Sequence, residues 1–243
     1  MKNIFNKIYA LYFLLMGVVL VVVTYLMSIT ILLFLGKKAK YTLRKLYKMN
    51  SRLILILQGI VPKVSGKFPK GTFVFCMNHQ SDLDILIALA LLPSGFLFVA
   101  KEELLRVPFI GSLIKMAGYI TIDRKNNRRS TETLDQIKME LTQGRSVLVF
   151  PEGTRSMDGE IQKIKRGGIQ VAFQTRTPVV PVVNDPVFKI FNKSATNISY
   201  HKVKTMVGKP IVYDWENHSR DYSMESAMQL EIVMKELLSS IRK

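Results

Sequence analysis

The 243-residue sequence predicts an α/β fold: a mixed β-sheet flanked by helices, preceded by an N-terminal helical membrane-anchoring motif. Two observations carry this. From Pro62 onward, short apolar segments alternate with stretches of helical period, the pattern of a sheet layered with helices. Ahead of Pro62, the run Ile8–Leu35 holds no charge. The expected division is an anchor with a basic amphipathic helix over 1–61, and an α/β domain over 62–243.

Eighteen of the residues between Ile8 and Leu35 are Leu, Ile, Val or Phe. Their insertion into hydrocarbon is worth on the order of −7 kcal/mol, with no charge to oppose it. As one straight helix the run measures about 42 Å against about 30 Å of hydrocarbon, so it either tilts across or bends and returns. The run is too long for a signal-peptide core, and no small-x-small cleavage pattern precedes Lys37, so it reads as a retained anchor. In the next stretch Leu43, Leu46, Tyr47, Leu53, Ile54 and Leu57 recur at the helical period among Lys40, Arg44, Lys45, Lys48 and Arg52. This is the pattern of a basic amphipathic helix in the headgroup layer, although such a helix can also cap a soluble core.

Within the α/β part, strands are expected at 73–77, 96–100, 119–122, 147–150, 179–183, 198–203 and 205–207. Several are apolar on both faces, as strands covered by helices must be. Helices are expected at 83–92, briefly near 102–106, at 108–117 with Pro108 in the first turn, and from Ser130 as cap to Gly144 as stop. Two more fall at 165–175 and 222–241.

The formal net charge of +17 is unevenly spread: all residues before Asp82 lack acids, while twelve Lys or Arg lie there. Positive charge beside an apolar run points to an anionic membrane surface rather than nucleic acid and, if the run spans, to a catalytic part on the cytoplasmic side. The single cysteine, Cys76, excludes an intrachain disulfide and lies in an apolar strand. No Cys/His cluster has metal-ligand spacing, so neither metal nor other cofactor is expected. His201 and His218 read as surface residues.

Chemistry concentrates at strand ends. His79 and Asp84 are five residues apart, and can face each other only if Gln80-Ser81-Asp82 turns the chain between loop and helix. A carboxylate on one imidazole nitrogen then frees the other to take a proton. Ser81 with Asp84 fits a capping box equally well. Arg124 and Arg155 each follow an apolar strand, and guanidinium forks suit a phosphate monoester. Lys101 ends another strand, as a further cation or a solvated lysine.

The four blocks Asn78-His79-x4-Asp84, Gly118 to Arg124, Glu152-Gly153-Thr154-Arg155 and Val180-Pro181-Val182-Val183 resemble, in order, the four motifs of the glycerolipid acyltransferase family. The similarity covers roughly residues 62 to 210. It departs at Asp123, where an aromatic or aliphatic residue is usual. The resemblance implies His79 as general base with Asp84 its partner. It implies a glycerophosphate site lined by Asn78, Arg124, Glu152, Gly153, Thr154 and Arg155, and an acyl-binding wall at Val180, Pro181 and Val182. It also implies transfer of an acyl group from an acyl carrier protein or coenzyme A thioester to the sn-2 hydroxyl of lysophosphatidic acid, making phosphatidic acid in phospholipid biosynthesis. Alternatives are a glycerol-3-phosphate or other lysophospholipid acceptor, or a non-catalytic adaptor that binds anionic membrane lipids.

Overall fold

The computed structural model describes residues 2–123, 127–191, 198–217 and 219–243. Helix α1 (Lys2–Leu35) turns through a 3-10 segment at Gly36–Lys38 into α2 (Ala39–Leu57). After β1 (Lys63–Ser65) and β2 (Val74–Met77) come α3 (Leu83–Leu91), β3 (Leu97–Lys101), α4 (Ile110–Ala117) and β4 (Ile120–Ile122). The chain continues through α5 (Asn127–Thr142), β5 (Val147–Val149), α6 (Gly167–Thr175) and β6 (Val179–Asp185). It ends with α7 (Val187–Ile190), β7 (Lys204–Val207) and α8 (Arg220–Arg242).

The seven strands form one mixed sheet in the order β1-β7-β6-β2-β5-β3-β4. Strands β2 to β6 are parallel, and β7 runs antiparallel to β6. Right-handed crossovers put α3 and α4 on one face and α5 and α6 on the other. Packing agrees: α2 lies on α3 and α4, whereas α8 lies on β6, β7 and α6. The central strands are buried on both faces, with Val74, Phe75, Val147, Val179, Val180 and Val182 all at 1% exposure or less. The C-terminal ends of β2 and β5, which are neighbours, therefore open onto one edge of the sheet, where parallel α/β sheets bind ligands.

Some expectations move. The stretch 198–203 is not a strand: Ile198 makes one bridge to Phe191, and Ile198 and Val203 pack against Phe13, Leu55 and Ile87 instead of entering a ladder. Strand β1 escaped notice because its three residues are exposed and show no apolar alternation. Pro108 precedes α4 rather than opening it, because Phe109 at φ 62° is the cap, and α5 starts a turn before Ser130. Gly118 at φ 65° ends α4 in the left-handed conformation, donating its N–H to the carbonyl of Lys115.

Three cations of α2 bond to helix ends of the α/β part. Arg44, only 9% exposed, donates to the Ala117 carbonyl at 3.0 Å, Arg52 to the Ala90 carbonyl at 2.8 Å, and Lys48 to the Leu92 carbonyl. These cations satisfy the C-terminal carbonyls of α3 and α4 and their negative dipole ends. Burial lowers the Arg44 and Lys48 pKa values accordingly. Lys40 and Lys45 stay exposed. On α1, Tyr9 and Tyr12 donate to the Gln58 and Leu57 carbonyls, tying the helix back along α2. The other flank of α1 leaves large apolar side chains uncovered, up to 80% at Leu33 and 84% at Phe34. Ile4–Leu35 is long and apolar enough to cross a membrane.

Candidate active site

His79 lies on the loop between β2 and α3, and Asp84 in the first turn of α3. The Asp84 Oδ2 atom is 3.2 Å from His79 Nδ1 and also accepts the backbone N–H groups of Gln80 and Ser81 at 2.6 and 2.7 Å. Its Oδ1 accepts from Asn184 Nδ2 at 3.3 Å. Both readings of the Ser81–Asp84 spacing hold at once: the carboxylate that closes the helix start also braces the imidazole. Fully buried, Asp84 has four donors around its two oxygens, as a buried carboxyl requires. With Nδ1–H donating to Asp84, the lone pair on Nε2 is the one left to accept a proton, and the ring keeps 16% exposure. Phe150, at the end of β5, stacks on the imidazole with centroids 4.0 Å apart and planes 20° from parallel. The ring is thus fixed by a hydrogen bond at its edge and an aromatic at its face.

Glu152, expected in the glycerophosphate site, holds the loop backbone in this structure. At 2% exposure it sits behind the loop, its Oε1 accepting the His79 N–H and its Oε2 the Gln162 N–H, both at 2.8 Å. Burial pushes its carboxyl up to about 7, with the charges of Asp84 and Glu231 adding and the two amide bonds opposing. The Ser156 N–H donates to the His79 carbonyl at 2.7 Å, so the turn after β5 grips His79 from both sides of its backbone. Gly153 makes that turn at φ 73°, with Lys165 Nζ 2.9 Å from where a β-carbon would stand. Another residue would be strained there by the backbone conformation, and the lysine side chain would have to shift.

Asn78 is likewise structural. Buried at 1%, it exchanges two hydrogen bonds with the backbone of Asn184, 3.0 and 2.8 Å long, clamping the end of β2 to β6. Val180, Pro181 and Val182, expected at an acyl-binding wall, lie buried inside β6 in the middle of the sheet. The open apolar volume is elsewhere, a cavity of about 360 Å³ on the α5–α6 face, bounded by Val74, Val99, Leu134, Val149, Phe150 and Lys165. Phe150 thus separates His79 from that cavity.

Among the expected cations, Arg155 is at the mouth of the site, 26% exposed, where Nη1 donates to Asp82. Thr154 beside it is exposed. Asp82 engages one of five guanidinium N–H groups, so the fork keeps donors for an anion. Lys101 is exposed at the end of β3, opposite Ile122 of β4. Arg124 lies outside the described residues.

Three supporting residues were missed. Asn184 links Asp84 to Thr205, which donates to Asn184 Oδ1 at 2.8 Å. Gln80, fully buried, donates to Asp185 and the Gly159 carbonyl and accepts the Val187 N–H. Arg242, one residue from the C-terminus, grips Asp185 through both Nε and Nη2 at 3.3 and 3.1 Å. The legible signal was Asn184-Asp185, two polar residues closing an otherwise apolar strand; Arg242 had none.

A buried carboxylate against an imidazole, next to a turn that carries a guanidinium, is an arrangement with the parts of a general-base site. The comparisons agree in class. The Acyltransferase family model matches residues 61–185, and the chain belongs to that family. A 1-acyl-sn-glycerol-3-phosphate acyltransferase of Helicobacter pylori is 30% identical over 176 residues, 72% of this chain and 74% of that protein. Proteins of the same description from Cocos nucifera and Limnanthes douglasii are 28% and 33% identical, over 73% and 54% of this chain. The chain spans 58% and 47% of those two relatives' lengths. In fold it matches the crystal structure of a 1-acyl-sn-glycerophosphate acyltransferase from Thermotoga maritima, with TM-score 0.78, 24% identity and 98% of both chains covered.

Proposed function

We propose that the chain transfers an acyl group from an acyl thioester to the sn-2 hydroxyl of 1-acyl-glycerol-3-phosphate, releasing phosphatidic acid and a free thiol. The observation that carries this is the His79–Asp84 contact of 3.2 Å at the C-terminal edge of the sheet. His79 Nε2 takes the hydroxyl proton as the oxygen attacks the thioester carbonyl. The tetrahedral intermediate then collapses, the C–S bond breaks, and the thiolate leaves with the proton returned by His79. Asp84 holds the tautomer and stabilises the imidazolium. Arg155 holds the phosphate, joined by Arg124 and, at the edge of the site, by Lys101. The cavity beside Phe150 takes the apolar chain of a substrate. The exposed flank of α1 rests in lipid, so the site meets a lysophospholipid at the headgroup plane, on the cytoplasmic face of the inner membrane.

Acceptors presented in vesicles with one thioester donor test the reading. Lysophosphatidate is expected to react at least about tenfold faster, in kcat/KM, than glycerol-3-phosphate or lysophosphatidylcholine, as a bound phosphate plus a bound chain predicts. Equal rates for the zwitterionic lysolipid defeat the phosphate assignment.

A further inference from the structure

The face of the sheet that carries α5, α6 and α8 bears a second feature, separate from the strand-end site. A groove of about 420 Å³ runs between the segment entering α6 and the first half of α8, lined by Lys163, Lys165, Arg166 and Arg220 with Met224 and Met228. All four cations are exposed, and none forms an ion pair among the described residues. The one carboxylate in the lining, Glu231, is committed: it accepts the Ile164 N–H at 3.1 Å and pairs with Lys235 at 2.6 Å. Beside the cations runs an apolar stripe along α8, with Met224 43%, Met228 54% and Ile232 57% exposed at four-residue spacing. Unpaired cations around exposed methionines fit an acidic amphipathic protein surface.

Position separates this face from the membrane. The apolar flank open to lipid belongs to α1, which packs with α2 and α4 on the opposite side of the sheet. Position also connects it to the chemistry. Lys165 lines both the groove and the 360 Å³ cavity, and that cavity reaches Phe150, which stacks on His79. A partner seated on the groove is therefore one cavity away from the base.

We propose that this groove docks a water-soluble, strongly acidic carrier protein that presents the acyl thioester on its pantetheine arm, threading it past Lys165 toward His79. The proposal rests on the acyl-transfer reading and selects the carrier-borne donor over coenzyme A. Lysolipid then arrives from the anchor side and the donor from the aqueous side.

The test compares acyl carrier protein and coenzyme A thioesters of one chain length, with the full chain and lysophosphatidate in vesicles. In K163E/R166E/R220E, KM for the carrier-borne donor is expected to rise at least about tenfold, with kcat/KM for the coenzyme A donor held within about twofold. The milder pair Lys163→Ala with Arg220→Ala, which puts no new charge on the surface, is expected to raise the carrier KM about threefold. An equal rise for both donors, an unchanged carrier KM, loss of the variant from vesicles, or a wild type that accepts only the coenzyme A thioester overturns the docking face. A wild type that acylates lysophosphatidate from neither donor overturns the acyl-transfer reading itself, and the docking face with it.

Discussion

At the scale of single residues, two buried carboxyls with different duties flank the loop that carries His79. Asp84 touches the imidazole, whereas Glu152 holds the backbone on which the imidazole is mounted. Both Glu152 oxygens accept amide hydrogens, so Glu152→Gln turns one acceptor into a donor facing an N–H. The expected destabilisation is about 1–3 kcal/mol by urea denaturation, with a fall in kcat as His79 loses its seat. Glu152 also makes stability depend on pH. Its carboxyl, pushed up to about 7, keeps its proton where the unfolded chain has lost it. Its contribution is therefore full below about pH 4.5 and erodes as the pH rises to about 7, by on the order of 3 kcal/mol. The gap between wild type and Glu152→Gln narrows over that window. A gap that widens, or does not change, contradicts the assignment.

At the scale of elements, the loop between β2 and α3 is held from three directions: by the turn after β5, by the end of β6, and by the end of α8. The last hold runs through Arg242, which grips Asp185, which in turn accepts from Gln80, the neighbour of His79. Arg242→Ala is expected to lower kcat about tenfold to a hundredfold with both KM values near wild type, because it loosens where the base sits without touching substrate. The helix itself stays docked through buried Leu238 and Ile241. Rescue by Arg242→Lys distinguishes lost charge from lost packing, and an Arg242→Ala enzyme of normal kcat refutes the relay. Such a relay was invisible in sequence because Gln80 and Arg242 meet only after folding. The strands and most helices were legible because their apolar periods are local. The His79–Asp84 contact was legible because the intervening turn is local too. The backbone-holding bonds of Asn78 and Glu152 were not legible: motif membership does not say whether a residue touches substrate or holds up what does. The bonds of Arg44, Lys48 and Arg52 to helix carbonyls were equally hidden, since nothing local in a basic helical face tells which carbonyls it will meet.

At the scale of the whole molecule, the sheet separates two environments. The anchor helices and α3–α4 occupy one face, α5, α6 and α8 the other, and the dyad lies on the edge between them. Under the proposed function, that layout lets a membrane-resident acceptor and a thioester donor converge without either crossing the protein. All of it presupposes that His79 moves the proton. The most direct measurement is kcat of the purified full chain with lysophosphatidate in vesicles, for wild type and for His79→Ala shown to be folded by its melting transition. A fall of about 10²–10⁴ with little change in either KM is expected for the loss of a positioned base. A folded His79→Ala protein that turns over at the wild-type rate contradicts the account.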